Sequence, residues 1–235
     1  MSAIRAVLFD VDGVLLDSLT PHLKICEDKN REYGLGLRIP NPTEFKTMVR
    51  AGIKISPMKH FFTAVGFSEE FAERANQQYQ RIFMQAYRPV PFPRVHETLT
   101  ALHDARLQLG IVTSNVMANV VEALGESVAL FRPDCVLTKD NTAGMSKTEA
   151  IVAAVAKFGV RADETIYVGD QPADWEAARA AGVKFLGVSY GWGISDEDEG
   201  FPIAREISDI DRHILSQARF EARQSYTVIG PDPPK

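Results

Sequence analysis

The stretch that most constrains this chain is VLFDVDGVLLDS, residues 7–18. Val7, Leu8 and Phe9 form a continuous apolar run rather than an alternating one, the pattern of a strand buried on both faces of a parallel sheet. Two carboxylates, Asp10 and Asp12, follow at once. Acids at the end of a doubly buried strand need a reason, because a charge taken out of water is costly unless it is paired.

The remainder of the chain extends that first strand into a sheet. From about Arg94 onward, strand-like segments at 109–113, 135–138, 165–169 and 185–189 alternate with helical ones such as 95–107 and 147–158. Such alternation reads as βαβ units. With a first strand at 6–9, it gives an α/β fold, a doubly wound parallel sheet of at least five strands. Residues 19–87 break the rhythm with helical patterns at 19–33, 43–49, 58–65 and 69–87 and no convincing strand, which predicts an inserted all-α cap. Pro89, Pro91 and Pro93 in RPVPFPR predict a stiff, extended exit from it. The expected division is a core of 1–17 and 90–219, a cap of 18–89, and a loosely ordered tail of 220–235 ending GPDPPK.

Charge and composition narrow the partners. The formal net charge is −5 and no Lys/Arg tract occurs, which argues against nucleic acid or an anionic membrane and for a small soluble ligand. The N-terminus lacks a basic segment followed by an apolar one, and no apolar run reaches spanning length, so a cytoplasmic monomer or homodimer is expected. Cys26 and Cys135 lack metal-ligand spacing and are expected to be buried, reduced thiols. The five histidines show no mutual metal spacing, and none is given a catalytic role.

In an open parallel sheet, ligands bind beyond the carboxyl ends of the strands, where strand order reverses. Four polar groups fit: Asp10 with Asp12; Thr113, Ser114 and Asn115; Lys147; and Asp170 with Asp174. Each also has a purely structural reading. Asp12-Gly13 is a turn signal, Thr113–Asn115 could cap a helix, and acids flanking Pro172 would offset a helix dipole. Lys147 is harder to dismiss. Ser146-Lys147-Thr148-Glu149 fits a capping box, which sets a cation in a first turn, where the dipole disfavours it unless an anion lies near. If the strand ends converge, Asp10, Asp12, Asp170 and Asp174 crowd together, and two charges at about 4 Å repel by roughly 4 kcal/mol at an effective dielectric near 20. Such a cluster wants a divalent cation, and an all-oxygen set of few ligands suits Mg²⁺. A cation, a lysine, a hydroxyl and helix N-termini make a phosphoryl site.

FDVDGVLLDS, IVTSN, MSKTEA and GDQPAD, in this order, resemble the four motifs of the haloacid dehalogenase (HAD) superfamily. The resemblance is nearest to its phosphoglycolate phosphatase-like and sugar-phosphatase branch with a helical cap. It implies a HAD-like Rossmannoid core and a Mg²⁺-dependent phosphatase acting on a small phosphorylated metabolite through an aspartyl phosphate. By resemblance Asp10 is the nucleophile and Asp12 the acid and base. Thr113 and the backbone of Ser114 and Asn115 hold phosphoryl oxygens, and Lys147 neutralises charge. Asp10, Asp12, Asp170 and Asp174 form the metal site. Arg50 and Lys54, beside Gly52 in the cap loop, are candidates to close over a charged substrate. Val14, where related phosphatases commonly carry threonine, keeps a phosphomutase as the rival, and a non-catalytic phospholigand-binding protein is a second. YGWG at 190–193 resembles a glycine-rich loop of this branch, with a plain turn as its default reading.

Overall fold

The computed structural model describes residues 3–227. β1 (Ala6–Phe9) is the centre of the molecule, paired in parallel with β4 (Gln108–Val112) on one side and β6 (Thr165–Gly169) on the other. Beyond β4 lies β5 (Val136–Leu137), and beyond β6 lie β7 (Lys184–Val188) and β8 (Ile203–Ala204). All pairs are parallel, in the order β5-β4-β1-β6-β7-β8 among the described residues. Strand order therefore reverses around β1, and the crevice opens beyond the ends of β4, β1 and β6.

The apolar run of β1 is continuous because helices cover both faces. Val7 and Phe9 enter one core with Leu99 and Leu102 of α5 (Val95–Asp104) and Ile210 and Ile214 of α9 (Ile207–Thr227). Ala6 and Leu8 enter the other, with Ile151 and Ala154 of α7 (Lys147–Phe158) and Ala177 and Ala178 of α8 (Pro172–Ala180). The adjacent α6 (Met117–Leu124) adds Val120 and Leu124 to the first core.

Between β2 (Leu16–Asp17) and β3 (Val90–Pro91) the chain forms α1 (Leu19–Tyr33), α2 (Pro42–Arg50), α3 (Met58–Ala64) and α4 (Glu69–Ala86). These helices close on a third apolar cluster, rich in Phe45, Phe61, Phe62 and Phe83. β2 and β3 pair antiparallel, Leu16 with Pro91 and Asp17 with Val90, so the two passages between core and cap run side by side. The sequence presented the second passage only as a stiff linker, because two-residue strands carry no periodic signal. β8 escaped for the same reason. The expected boundary at 219/220 falls inside α9, and residues 228–235 of the expected tail lie outside the described residues. Cys26 and Cys135 are buried and free.

Gly110 in β4 admits close packing: a Cβ there would sit 2.8 Å from both Leu8 Cδ2 and Phe158 Cζ, and 2.9 Å from the Cys135 carbonyl. Gly110→Ala should lower the urea-unfolding free energy by about 1–3 kcal/mol through overpacking. An unchanged urea midpoint would show that this approach is not tight.

Candidate active site

The carboxyl ends of β1 and β6 carry the chemistry. Asp10 follows β1 directly, its backbone N–H donating to Val168 O at 3.0 Å, which keeps it in register with β6. Asp170 follows β6, and Asp174 lies in the first turn of α8. Asp10, Asp170 and Asp174 are all buried, at 5%, 0% and 1% exposure. One carboxylate oxygen from each lies within 4.8 Å of the others.

Lys147 answers this density of charge. The capping box of α7 forms as its sequence suggests: Ser146 Oγ accepts from the Glu149 N–H at 3.2 Å, and Glu149 Oε2 accepts from the Ser146 N–H at 2.7 Å. That turn aims Lys147 Nζ at Asp10 Oδ2, 2.6 Å away, and at Asp174 Oδ1, 2.5 Å away. Burial opposes the ammonium's charge, but Asp10 and Asp174 outweigh it and hold Lys147 well above the ordinary lysine range. The remaining oxygens are tied to backbone: Asp10 Oδ1 accepts from Val11 N–H at 2.7 Å, and Asp174 Oδ2 from Asp170 and Gln171 N–H at 3.0 and 3.1 Å.

Asp170 is different. Its Oδ2 accepts from Trp192 N–H at 2.6 Å, while its Oδ1 is buried with no partner among the described residues. Burial, then Asp174 and Asp10, push its carboxyl well above the usual carboxylate range. An all-oxygen cluster with one orphaned, strained carboxylate oxygen fits a hard divalent cation. Glycines permit this crowding: a Cβ on Gly13 would fall 2.1 Å from Asp170 Oδ2, on Gly191 2.3 Å from Asp170 Cβ, and on Gly169 2.5 Å from Asp174 Cβ. YGWG is therefore more than a turn. It wraps Asp170, whose carbonyl accepts from the N–H groups of Gly193 and Ile194 at 3.0 and 2.8 Å.

Asp12 lies outside the carboxylate cluster, which corrects the expectation that all four acids crowd together. Past the strand end, Gly13 adopts φ +79, and the chain folds back so that Asp12 bridges Leu16. Asp12 Oδ2 accepts from Asn115 Nδ2 at 2.9 Å. Burial raises the Asp12 pKa, with the nearby His22 pulling against it. Thr113 is buried and accepts from the Asn115 N–H at 3.2 Å, so that amide, expected to be open, is already engaged. None of Thr113, Ser114 and Asn115 is a helix cap, since Val116 takes that position for α6.

A cavity of about 940 Å³ lies between this cluster and the cap, walled by Asp10, Asp12, Ser114, Asn115, Lys147 and Asp174 on the core side. The structure does not bring Arg50 and Lys54 into it. Arg50 is drawn instead to Asp198 of the core, Nη2 to Oδ1 3.3 Å, and Lys54 is exposed on its loop. Sequence reasoning missed two wall residues, His22 and Trp192. His22 shares the buried face of α1 with Leu19, Leu23 and Cys26, and a histidine on an apolar helical stripe was the available signal. Its Nδ1–H donates to Ser18 O at 2.5 Å and its Nε2 lies 3.0 Å from the Tyr79 hydroxyl, and burial lowers the ring's pKa.

Comparison with known proteins places the chain. The family model described as haloacid dehalogenase-like hydrolase matches residues 7–188. The chain belongs to the haloacid dehalogenase-like hydrolases. This hydrolase is 29% identical over 209 residues to a phosphoglycolate phosphatase of Pseudomonas fluorescens (strain Pf0-1), covering 86% of this chain and 74% of that one. It is 30% identical over 201 residues to the probable phosphatase IndB of Dickeya dadantii (strain 3937), covering 82% and 84%. A haloacid dehalogenase-like family hydrolase of Streptococcus pneumoniae shares its fold, with TM-score 0.72 and 22% identity over 91% of this chain and 99% of that one.

Lys147→Met removes the cation shared by Asp10 and Asp174 and leaves buried carboxylates facing each other. In metal-free buffer the variant should lose about 3–5 kcal/mol of unfolding free energy. Chemical denaturation checks this, and parent-like stability would mean that the lysine does not neutralise the cluster.

Proposed function

We propose that this hydrolase cleaves a small phosphomonoester with Mg²⁺ as cofactor, through an aspartyl phosphate (an acyl phosphate) on Asp10. One observation carries the reading: Lys147 bridges Asp10 and Asp174 at the strand ends, beside the unpartnered oxygen of Asp170 and at the floor of the cavity between core and cap. The relatives' names supply the phosphomonoester class.

Phosphoryl transfer asks a protein for positioning and charge neutralisation more than for covalent ingenuity. Asp10 is positioned as the nucleophile, since the Val11 N–H and Lys147 fix both of its oxygens and so fix its orientation. Attack by a carboxylate oxygen on phosphorus forms the aspartyl phosphate and breaks the bond to the alcohol oxygen. The departing oxygen takes a proton from Asp12, whose raised pKa suits a general acid. Asn115 holds that carboxyl from the side. In the second half, Asp12 accepts a proton from water as it attacks the phosphoaspartate, which frees inorganic phosphate and restores Asp10. Lys147, Thr113 and the Ser114 backbone are the groups to receive phosphoryl oxygens. Bound at Asp10, Asp170 and Asp174, with Asp12 contributing its carbonyl, Mg²⁺ would supply positive charge to the transferring phosphoryl group.

Asp10→Asn should abolish release of inorganic phosphate from p-nitrophenyl phosphate while its circular dichroism stays that of the parent. Undiminished turnover would remove Asp10 as nucleophile. Asp12→Ala should slow turnover by about 10²–10⁴-fold and let the phosphoenzyme accumulate. Intact-protein mass spectrometry after rapid quenching should then detect a phosphate adduct, and a slow variant without one would count against acid and base roles for Asp12.

A further inference from the structure

The cap wall of the cavity differs chemically from its floor. Phe61, Tyr79, Phe83 and Trp192 present aromatic surface to it, Ile55 and Met58 add aliphatic surface, and Ser56 and Asn76 are its uncharged polar members. These groups are held rigidly. His22 sits at the centre of the aromatic cluster, its ring 4.4 Å from Phe83, 5.2 Å from Trp192 and 5.4 Å from Phe61 between centroids. Trp192 comes from the core yet packs inside the cap's own apolar cluster, so the wall spans both parts of the fold.

Cations are missing from that wall among the described residues. The lysines lining the cavity, Lys139 and Lys147, both belong to the core. Lys147 is committed to Asp10 and Asp174, and Lys139 is exposed on the core side of the cavity, its backbone N–H held by the Asn115 carbonyl. His22 has both ring nitrogens engaged within the protein, by Ser18 O and the Tyr79 hydroxyl. Arg50 turns to Asp198, and Lys46 reaches out of the cap to donate to the Tyr190 carbonyl at 3.2 Å. A carboxylate on a leaving group that faced this wall would meet aromatic carbon with no cation on the cap side to offset it, an unfavourable exchange for its water shell. Trp192 is only 7% exposed, and its Nε1–H finds no acceptor among the described residues.

We infer that the alcohol released by this enzyme is uncharged and carries a ring or comparable apolar body, seated against the aromatic wall. This rests on the phosphatase reading above and gives that reading a substrate class. It also sets the chain apart from the activity that the names of several relatives would suggest. Aromatic walls bind rings through offset and edge contacts, and uncharged polar groups such as Asn76 can fix orientation without selecting charge.

The test compares three esters of unactivated primary alcohols, so that intrinsic reactivity is similar and the leaving group's fit decides. With Mg²⁺ present, benzyl phosphate should exceed both phosphoglycolate and glucose 6-phosphate in kcat/KM by at least about tenfold, equivalent to about 1.4 kcal/mol of transition-state preference. Met58→Lys, which sets a cation into the apolar wall, should narrow the benzyl phosphate to phosphoglycolate ratio by about fivefold or more. Partial unfolding cancels in that ratio, since both esters are measured on one preparation. Phosphoglycolate or glucose 6-phosphate equal to or better than benzyl phosphate would overturn the substrate class and leave the phosphatase reading standing. No phosphate release from any of the three, nor from p-nitrophenyl phosphate, would overturn both.

Discussion

The structure turns on one electrostatic problem, three buried carboxylates at the meeting of β1 and β6, and on Lys147, which makes their proximity tolerable. Asp10 and Asp174 share its ammonium; Asp170 does not, and keeps an oxygen without a partner. Nearby features serve this arrangement. The α7 capping box aims the lysine, backbone N–H groups take the outward oxygens, and Gly13, Gly169 and Gly191 remove the side chains that would otherwise occupy the space of the acids. The lysine's unfavourable place in a helix's first turn is explained by what it faces.

Division of labour follows from geometry. Two acids two residues apart on one strand end might be expected to share one environment, yet the turn at Gly13 separates them. Asp10 joins the cationic floor, while Asp12 faces Asn115 and His22, where burial favours its protonated form. Paired carboxyls held in different surroundings are what acid–base chemistry requires near neutral pH. Above them the cap lays an aromatic wall over the cavity, and Trp192 reaches from the core loop beneath it into the cap's apolar interior.

Much of this was legible in the chain. Val7–Phe9 announced a doubly covered strand because continuous apolar runs have few other uses, and the helices at 19–33 and 147–158 matched their observed bounds because an apolar stripe runs into a glycine stop, at Gly34 and Gly159, in each. Asp10, Lys147, Asp170 and Asp174 could be anticipated because strand ends of a parallel sheet converge. What escaped was whatever depends on tertiary approach. The β2–β3 ribbon and β8 are too short for periodicity, Asp12 was drawn into the cluster because spacing says nothing about a turn's direction, and Arg50 was read as a substrate contact although its partner, Asp198, lies far along the sequence. His22 and Trp192 were apolar-face residues until the cap closed over the floor.

The central claim is that the carboxylate cluster is built to receive a divalent cation. Titration calorimetry of Mg²⁺ into the parent and into Asp170→Asn tests it most directly. The account predicts that the parent binds Mg²⁺ and that the variant, with its fold intact, binds it weaker by about tenfold or more. Equal affinity in the two proteins, or heat from neither, would contradict it.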